Sequence, residues 1–106
     1  MAKYLIKASY TPEGTRGLLK DGGTARRKIV EDMVQRLDGT VESFYYGYGS
    51  ADVYSIVDLP DQTSAIAVSL IVNSSGAVTL STTPLITPEE IDAACERTVA
   101  YVPPGS

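Results

Sequence analysis

Two extended runs joined by a tight turn occupy the middle of this chain. The runs are Thr40 to Tyr48 and Ala51 to Leu59, and both are rich in aromatic and β-branched residues. Gly49-Ser50 lies between them and suits a sharp reversal of the chain. The pattern therefore predicts an antiparallel hairpin at the centre of the fold.

A strand and two helices are predicted before this hairpin. Residues 3–10 alternate between polar and apolar side chains with a period near two, which is typical of a strand. Thr11-Pro12-Glu13 predicts a capped but weak helix that ends at Lys20. A stronger helix begins at Thr24 and carries apolar residues at helical spacing. Gly39 is expected to end it in a left-handed conformation.

A helix, a strand and a last helix are predicted after the hairpin. Asp61 can cap the first of these helices, and Gly76 lies just past its end. Residues 77–86 predict a fourth strand. Thr87-Pro88-Glu89-Glu90 is a capping box with proline at the first helical position, so it predicts where the C-terminal helix begins.

With the two helices before the hairpin counted as one crossover, the resulting order is β-α-β-β-α-β-α. This order predicts an α+β fold of the ferredoxin-like type. This plan has a four-stranded antiparallel sheet and here an added C-terminal helix. Because βαβ crossovers are right-handed, both crossover helices are expected on the same face of the sheet. A chain of 106 residues forms one domain, residues 1–106, in which residues 103–106 are expected to be a flexible tail.

Apolar side chains are expected on both faces of this sheet. In the third strand, one face has Val53, Val57 and Leu59, and the other has Tyr54 and Ile56. In the second strand, one face has Phe44, Tyr46 and Tyr48, and the other has Val41 and Tyr45. The middle helix, residues 65–72, has almost no polar side and is expected to be widely buried. Because the helices cover one face only, we predict that a second copy covers the other, in a homodimer or a higher oligomer.

Charge and composition exclude several classes of function. A net charge of −4 argues against a binder of nucleic acid or of anionic membranes. No apolar run approaches the roughly 20 residues that span a bilayer, and the N-terminus lacks the apolar core of a signal peptide, so a soluble cytoplasmic protein is expected. With no histidine and one cysteine, Cys95, the chain can form no intramolecular disulfide and has no usual haem ligand. We predict no metal and no cofactor, and we expect Cys95 to be a small buried side chain of the last helix.

Several blocks of the sequence resemble the GYD-domain family. They are "KYLIKASYT", "GLLKDGGTARR", "GSADVYSIVDLPD", "LITPEE" and "YVPPG", which together extend over nearly the whole chain. In the run Gly49-Ser50-Ala51-Asp52, alanine stands where the family has an aromatic residue. The resemblance implies a small bacterial protein of the dimeric α/β-barrel superfamily, in which two ferredoxin-like sheets enclose a barrel. It implies no particular reaction, although the wider superfamily includes monooxygenases and haem enzymes.

One candidate site is the start of the second helix, "DGGTARRK". Its glycine pair offers free backbone N–H groups to an anion, and Arg26 has no acidic neighbour one turn away, whereas Arg27 and Lys28 do. We therefore expect Arg26 to meet a carboxylate or phosphate, either of a ligand or of a buried acid such as Asp52. The competing interpretation is a solvated arginine whose stem covers apolar surface.

The other candidate site is the tyrosine-rich hairpin. Tyr45, Tyr46, Tyr48 and Tyr54 could line a cavity for an aromatic or oxygenated ligand, and a buried Asp52 could act as a general base. The competing interpretation makes the tyrosines part of the sheet and makes Asp52 an acceptor for backbone N–H groups. The prediction that results is a small-ligand-binding or regulatory homodimer. The alternatives are a cofactor-independent monooxygenase- or isomerase-like enzyme, and a purely structural or protein-interaction module.

Overall fold

The chain, described by a computed structural model over residues 1–105, contains every strand and helix that the sequence predicts. The predicted tail at 103–106 includes Ser106, which lies outside the described residues. In chain order the elements are β1 (Ala2–Tyr10), α1 (Pro12–Asp21), α2 (Gly23–Arg36), β2 (Thr40–Tyr46), β3 (Val53–Leu59), α3 (Gln62–Ser74), β4 (Val78–Pro84) and α4 (Pro88–Cys95).

The four strands form one antiparallel sheet in the order β2-β3-β1-β4. This is the strand order of the ferredoxin-like plan, so the predicted fold class is confirmed. Helices α2 and α3 pack on one face, here called the covered face. Its core side chains come from two central strands and both helices: Tyr4, Ile6, Val57, Leu59, Val34 and Ala65. No helix of the described residues has both the length and the apolar character needed to cross a membrane.

Side-chain caps fix where three of the helices begin. The Thr11 hydroxyl accepts a hydrogen bond from the N–H of Gly14 at α1, and the Asp61 carboxylate accepts one from the N–H of Ser64 at 2.8 Å at α3. The hydrogen bonds from Ser64 lower the pKa of Asp61. Thr87 begins α4 with both hydrogen bonds of a capping box. These starts were predictable because a cap depends on neighbouring residues only.

The end of α2 differs from the prediction. The left-handed residue is Asp38, with φ of 60°, and not Gly39. Glycine is required at 39 for a different reason. A Cβ there would overlap the carbonyl oxygen of Asp58 and would lie 2.8 Å from Leu59 Cδ2 and 3.0 Å from Val34 Cγ1. Gly39 therefore marks a close approach between the end of α2 and β3.

A β-bulge in β2 changes which side chains share a face. The register shifts between Val41 and Ser43, so Val41 faces Val57 on the covered face, together with Phe44 and Tyr46. The prediction that Val41 and Tyr45 share a face is therefore wrong. One extra residue in a strand reverses the alternation of all side chains before it, and nothing in the period-two pattern revealed the bulge.

The other face of the sheet, here called the open face, is of mixed character. It carries four large apolar or aromatic side chains and four charged ones: Leu5, Tyr45, Tyr54 and Ile56, and Lys3, Lys7, Glu42 and Asp58. Lys3 Nζ lies 2.9 Å from Glu42 Oε2 and 3.1 Å from Asp58 Oδ1. The open face is thus less apolar than predicted.

Two predicted burials are also wrong within the single chain. In α3 only Ala65 and Val68 are buried, while Ile66 is 50% exposed and Leu70 and Ile71 are each 66% exposed. Cys95 is exposed, as is every other residue of α4. The prediction for Cys95 assumed that the apolar side of α4 finds a partner within the same chain. The burial of α3 was expected together with a second copy, and in that form it stays a prediction.

Candidate functional site

An apolar cavity of about 120 Å³ lies between the covered face and helices α2 and α3. All four strands and both helices contribute to its wall, which includes Ile6, Met33, Phe44, Val57, Val68 and Leu80. Its sheet side also contains two small residues, Ala8 and Ser55. The Ser55 hydroxyl donates to the Ser43 carbonyl oxygen at 2.7 Å, so this polar group is satisfied within the sheet.

The size and lining of the cavity suit a small apolar group. An engineered cavity of about 150 Å³ in another protein stays dry and binds benzene, so a volume near 120 Å³ is close to that of a single ring. Aliphatic side chains dominate the wall, and Tyr10 is the one tyrosine among the lining residues. The cavity within this single chain is therefore aliphatic, and the Tyr-lined barrel cavity, which requires a second copy, stays a prediction.

Arg26 lies at the wall of this cavity and is half-buried. Its neighbours have acidic partners one turn along α2: Arg27 Nε lies 3.9 Å from Glu31, and Lys28 Nζ lies 2.6 Å from Asp32. Within residues 1–105, no carboxylate comes within ion-pair distance of Arg26. The alternative in which Asp52 pairs with Arg26 is therefore wrong.

Tyr46 lies beside Arg26 at the start of α2. Its hydroxyl donates to the Gly23 carbonyl oxygen at 2.8 Å, and its ring meets Phe44 edge-on with centroids 5.3 Å apart. A Cβ at Gly23 would lie 3.0 Å from the Tyr46 ring, so glycine permits this close approach. Burial raises the pKa of Tyr46, and the neighbouring Tyr10 raises it further, against the lowering influence of the arginines on α2. Tyr46 is therefore a neutral hydroxyl at physiological pH.

A second, shallower pocket lies on the other side of Tyr10 and Arg26. It is formed by α1 and the start of β4, and the acids Glu13 and Asp21 line it. Arg26 thus lies between an apolar cavity and an acidic pocket. Within the described residues, no group of three or more His, Cys, Asp or Glu side chains could hold a metal ion.

Asp52 has a structural position at the base of the hairpin loop. Its Oδ2 accepts a hydrogen bond from the Tyr10 N–H at 2.8 Å, and its own N–H donates to the Ala8 carbonyl oxygen at 2.8 Å. The Gly47 N–H donates to the Asp52 carbonyl oxygen. Asp52 thus ties the loop between β2 and β3 to the end of β1, and it is not among the residues that line the cavity.

Replacing Asp52 separates its structural role from a chemical one. We expect Asp52→Ala to lower the free energy of unfolding by about 1–2 kcal/mol, because the Tyr10 N–H loses a partly buried charged acceptor. Asp52→Asn should cost less than half as much, since its amide oxygen can still accept that hydrogen bond. Urea denaturation measures both changes. Equal losses in the two variants would contradict a role as a hydrogen-bond acceptor.

The remaining predicted site residues lie away from the cavity. Tyr48 is at the tip of the hairpin loop and is fully exposed. Tyr54 lies on the open face, where Lys7 Nζ is 5.8 Å from its ring centroid and its hydroxyl is 3.4 Å from Ser50 Oγ. The structure therefore brings together Arg26 and Tyr46, links Asp52 to them through the backbone of Tyr10, and separates Tyr48 and Tyr54.

Tyr10 is the site residue that the sequence interpretation missed. It ends β1 on the same face as Tyr4, Ile6 and Ala8, opposite Val78 of β4. The period-two alternation of β1 already placed it on the apolar side of the strand. What the pattern could not indicate is that the start of α2 packs over this end of the strand.

Comparison with known proteins assigns most of the chain to one family. The family model for the GYD domain matches residues 4–95. The match includes the residues that line the cavity, Arg26, Tyr46 and all of α4. No curated protein and no solved structure has significant similarity to the chain.

Proposed function

The chain belongs to the GYD domain family, and from the geometry of its cavity we propose that it is a cytoplasmic, homodimeric binding protein for a small organic anion. The bound molecule has an apolar body the size of one ring and a single negative group. The observation that carries this proposal is Arg26, a half-buried cation at an apolar cavity with no carboxylate within ion-pair distance in residues 1–105.

The charges around the start of α2 favour an anion there. No side chain caps this helix, and its first turn contains no acidic residue. The positive end of the helix dipole and the guanidinium group of Arg26 therefore lie close together, whereas Arg27 is paired with Glu31. A carboxylate near Arg26 offsets this repulsion and can form a charge-assisted hydrogen bond with the guanidinium group.

The apolar cavity next to Arg26 supports the identity of the rest of the ligand. Small-molecule sites are mostly apolar and have a few polar groups that fix the orientation of the ligand. Besides Ser55, whose hydroxyl is satisfied within the sheet, the polar residues at the cavity wall are Arg26 and Tyr10. A single-ring aromatic acid or a short branched aliphatic acid matches both the volume and the charge. Benzoate is the simplest probe of this class.

The homodimer is supported by the apolar surface that a single chain leaves uncovered. Leu5, Tyr45, Tyr54 and Ile56 lie on the open face, which none of the helices covers. A second copy placed on this face gives the two-sheet barrel that family membership suggests, and a closed two-fold arrangement is the commonest solution for such a surface. The single exposed cysteine, Cys95, agrees with a reducing compartment.

Three ligands of matched size test the proposed binding. Benzoate, toluene and benzylammonium share one ring and differ in charge. We expect benzoate to bind in a saturable manner and to shift the NMR signals of the Met33 and Val68 methyl groups, which line the cavity from α2 and α3. Toluene should bind more weakly and benzylammonium not measurably. Stronger binding of the cation, or no shift of these methyl signals with any of the three, would contradict the proposal.

A further inference from the structure

Among the described residues, one hydrogen bond, from the Leu85 N–H to the Lys3 carbonyl oxygen, joins the C-terminal arm, residues 85–105, to the rest of its own chain. Every residue from Thr83 to Gly105 is exposed. Its only helix, α4, is held by a local capping box in which Glu90 N–H donates to Thr87 Oγ1 at 3.1 Å. Isolated helices shorter than about 12–15 residues are marginal in water, so α4 needs packing that its own chain does not provide.

The arm also carries more apolar surface than a solvated tail needs. Its exposed large apolar side chains are Leu85, Ile86, Ile91, Val99, Tyr101 and Val102. Ile91, Ala94 and Cys95 recur at helical spacing on one side of α4, while acidic residues occupy most of the other positions. This one-sided pattern is typical of a segment that docks on an apolar surface.

The direction of the arm leads away from its own domain. Leu85 N–H donates to the Lys3 carbonyl oxygen at 2.9 Å, which continues the course of β4 by one residue beyond Pro84. The arm therefore begins as a continuation of β4, and the exposure of Ile66, Leu70 and Ile71 shows that it does not cover these residues of α3. The Cα radius of gyration is 17.1 Å, compared with about 13 Å for a compact domain of roughly 100 residues.

A surface of matching character lies on α3. We define the α3 patch as the exposed stripe Ile66, Leu70 and Ile71. It adjoins a groove formed with Tyr4, Thr82 and Pro84 at the end of β4. Helix α3 contains no charged residue, so the acidic arm meets no like charge on it, and burying the three side chains of the patch is favourable.

We propose that the arm of each protomer docks on the α3 patch of a second copy of this chain. This inference rests on the proposed homodimer and adds a specific contact to it. A two-fold exchange covers both unpartnered surfaces at once and leaves neither arm free, as a closed symmetric contact requires. The arm and the α3 patch together provide a number of residues within the roughly 20–30 a side that specific interfaces contain.

Disulfide cross-linking through the native Cys95 tests where the arm docks. One chain, labelled with ¹⁵N, carries Cys95→Ser together with Ile66→Cys or Leu70→Cys on the α3 patch. The other chain is unlabelled wild type, whose only thiol is on the arm. After the two are mixed and mildly oxidised, mass spectrometry identifies the mixed covalent dimer separately from dimers of two identical chains.

A matched control replaces the α3 position by Gln35→Cys, an exposed site on α2. We expect the mixed dimer to form at least tenfold faster with Ile66→Cys or Leu70→Cys than with Gln35→Cys. Adding Ile91→Asp to the wild-type partner should abolish this preference, because a charge then replaces the largest apolar side chain of α4. The equilibrium mass of wild type, measured by sedimentation, should be that of a dimer.

The outcomes that overturn the inference are distinct from one another. Equal rates at all three positions in a dimeric wild type overturn the arm contact and leave the homodimer intact. A disulfide that forms within a single chain carrying Ile66→Cys and Cys95 shows instead that the arm folds onto its own α3. A monomeric wild type with no cross-linking preference overturns both the arm contact and the homodimer. In that case the arm docks on a different protein. None of these results affects the benzoate test.

Discussion

Replacing Arg26 by methionine is expected to weaken benzoate binding by about 10- to 100-fold, since a hydrogen bond to a charged group contributes roughly 1.5–3 kcal/mol and 1.4 kcal/mol corresponds to a factor of ten. Toluene should bind the variant as well as it binds wild type, because methionine keeps the apolar stem that lines the cavity. Calorimetric titration of both ligands into both proteins measures the difference. Arg26→Lys should give an intermediate loss, since it keeps the charge but not the planar fork.

A matched control for this experiment lies at the other end of the same helix. Arg36→Met removes the same charge from an exposed position that does not line the cavity. We expect it to change benzoate affinity by less than about twofold, because exposed charges beyond a Debye length of about 10 Å are largely screened. If Arg26→Met loses benzoate and toluene equally, the cavity has collapsed and Arg26 is not an anion site. If it loses neither, the proposed orientation of the ligand is wrong.

Substitution by alanine at two glycines of α1 should change the free energy of unfolding in opposite directions. A Cβ at Gly14 would overlap the carbonyl oxygen of Ala77, which also accepts a hydrogen bond from the Thr11 N–H at 3.0 Å. We expect Gly14→Ala to lower the free energy of unfolding by about 2 kcal/mol, since the backbone before β4 must move to admit the methyl group. Gly17→Ala should raise it by about 0.5–1 kcal/mol, because alanine is the better helix former.

Gly17 is the control because it lies in the same helix and a Cβ there meets nothing within 4 Å. Urea unfolding of the two variants and wild type measures both changes in the free energy of unfolding. If both substitutions stabilise the protein, α1 does not pack closely on the segment before β4. If both destabilise it, the effect comes from α1 itself and not from that contact.

Features that depend on neighbouring residues could be predicted from the sequence. Thr11, Asp61 and Thr87 each begin a helix where their caps indicated, and the alternation of β3 gave the correct faces for Val57 and Tyr54. The order of these elements was enough to predict the ferredoxin-like sheet, because right-handed crossovers leave few arrangements.

The candidate site was only partly predictable. Arg26 could be singled out because charge spacing along one helix shows which cation lacks a partner. Tyr48 and Tyr54 were assigned to the site because they are close to Tyr46 in sequence. In the structure Tyr48 lies at the tip of the loop at residues 47–52, and the pleat of β3 places Tyr54 on the open face. Asp52 was assigned two alternative roles, and its hydrogen bond to Tyr10, 42 positions away in sequence, exists only in the folded chain.

Local sequence determined the elements of this protein, their starts and their order, because caps, turns and side-chain periodicity act over a few residues. The tertiary structure alone decided the rest. The bulge between Val41 and Ser43 changed which side chains of β2 share a face. The end of α2 lies so close to β3 that only glycine fits at position 39, and the packing of α2 and α3 on the sheet left a cavity beside Arg26. Each of these depends on distances between segments far apart in the chain, and no pattern of neighbouring residues specifies such distances.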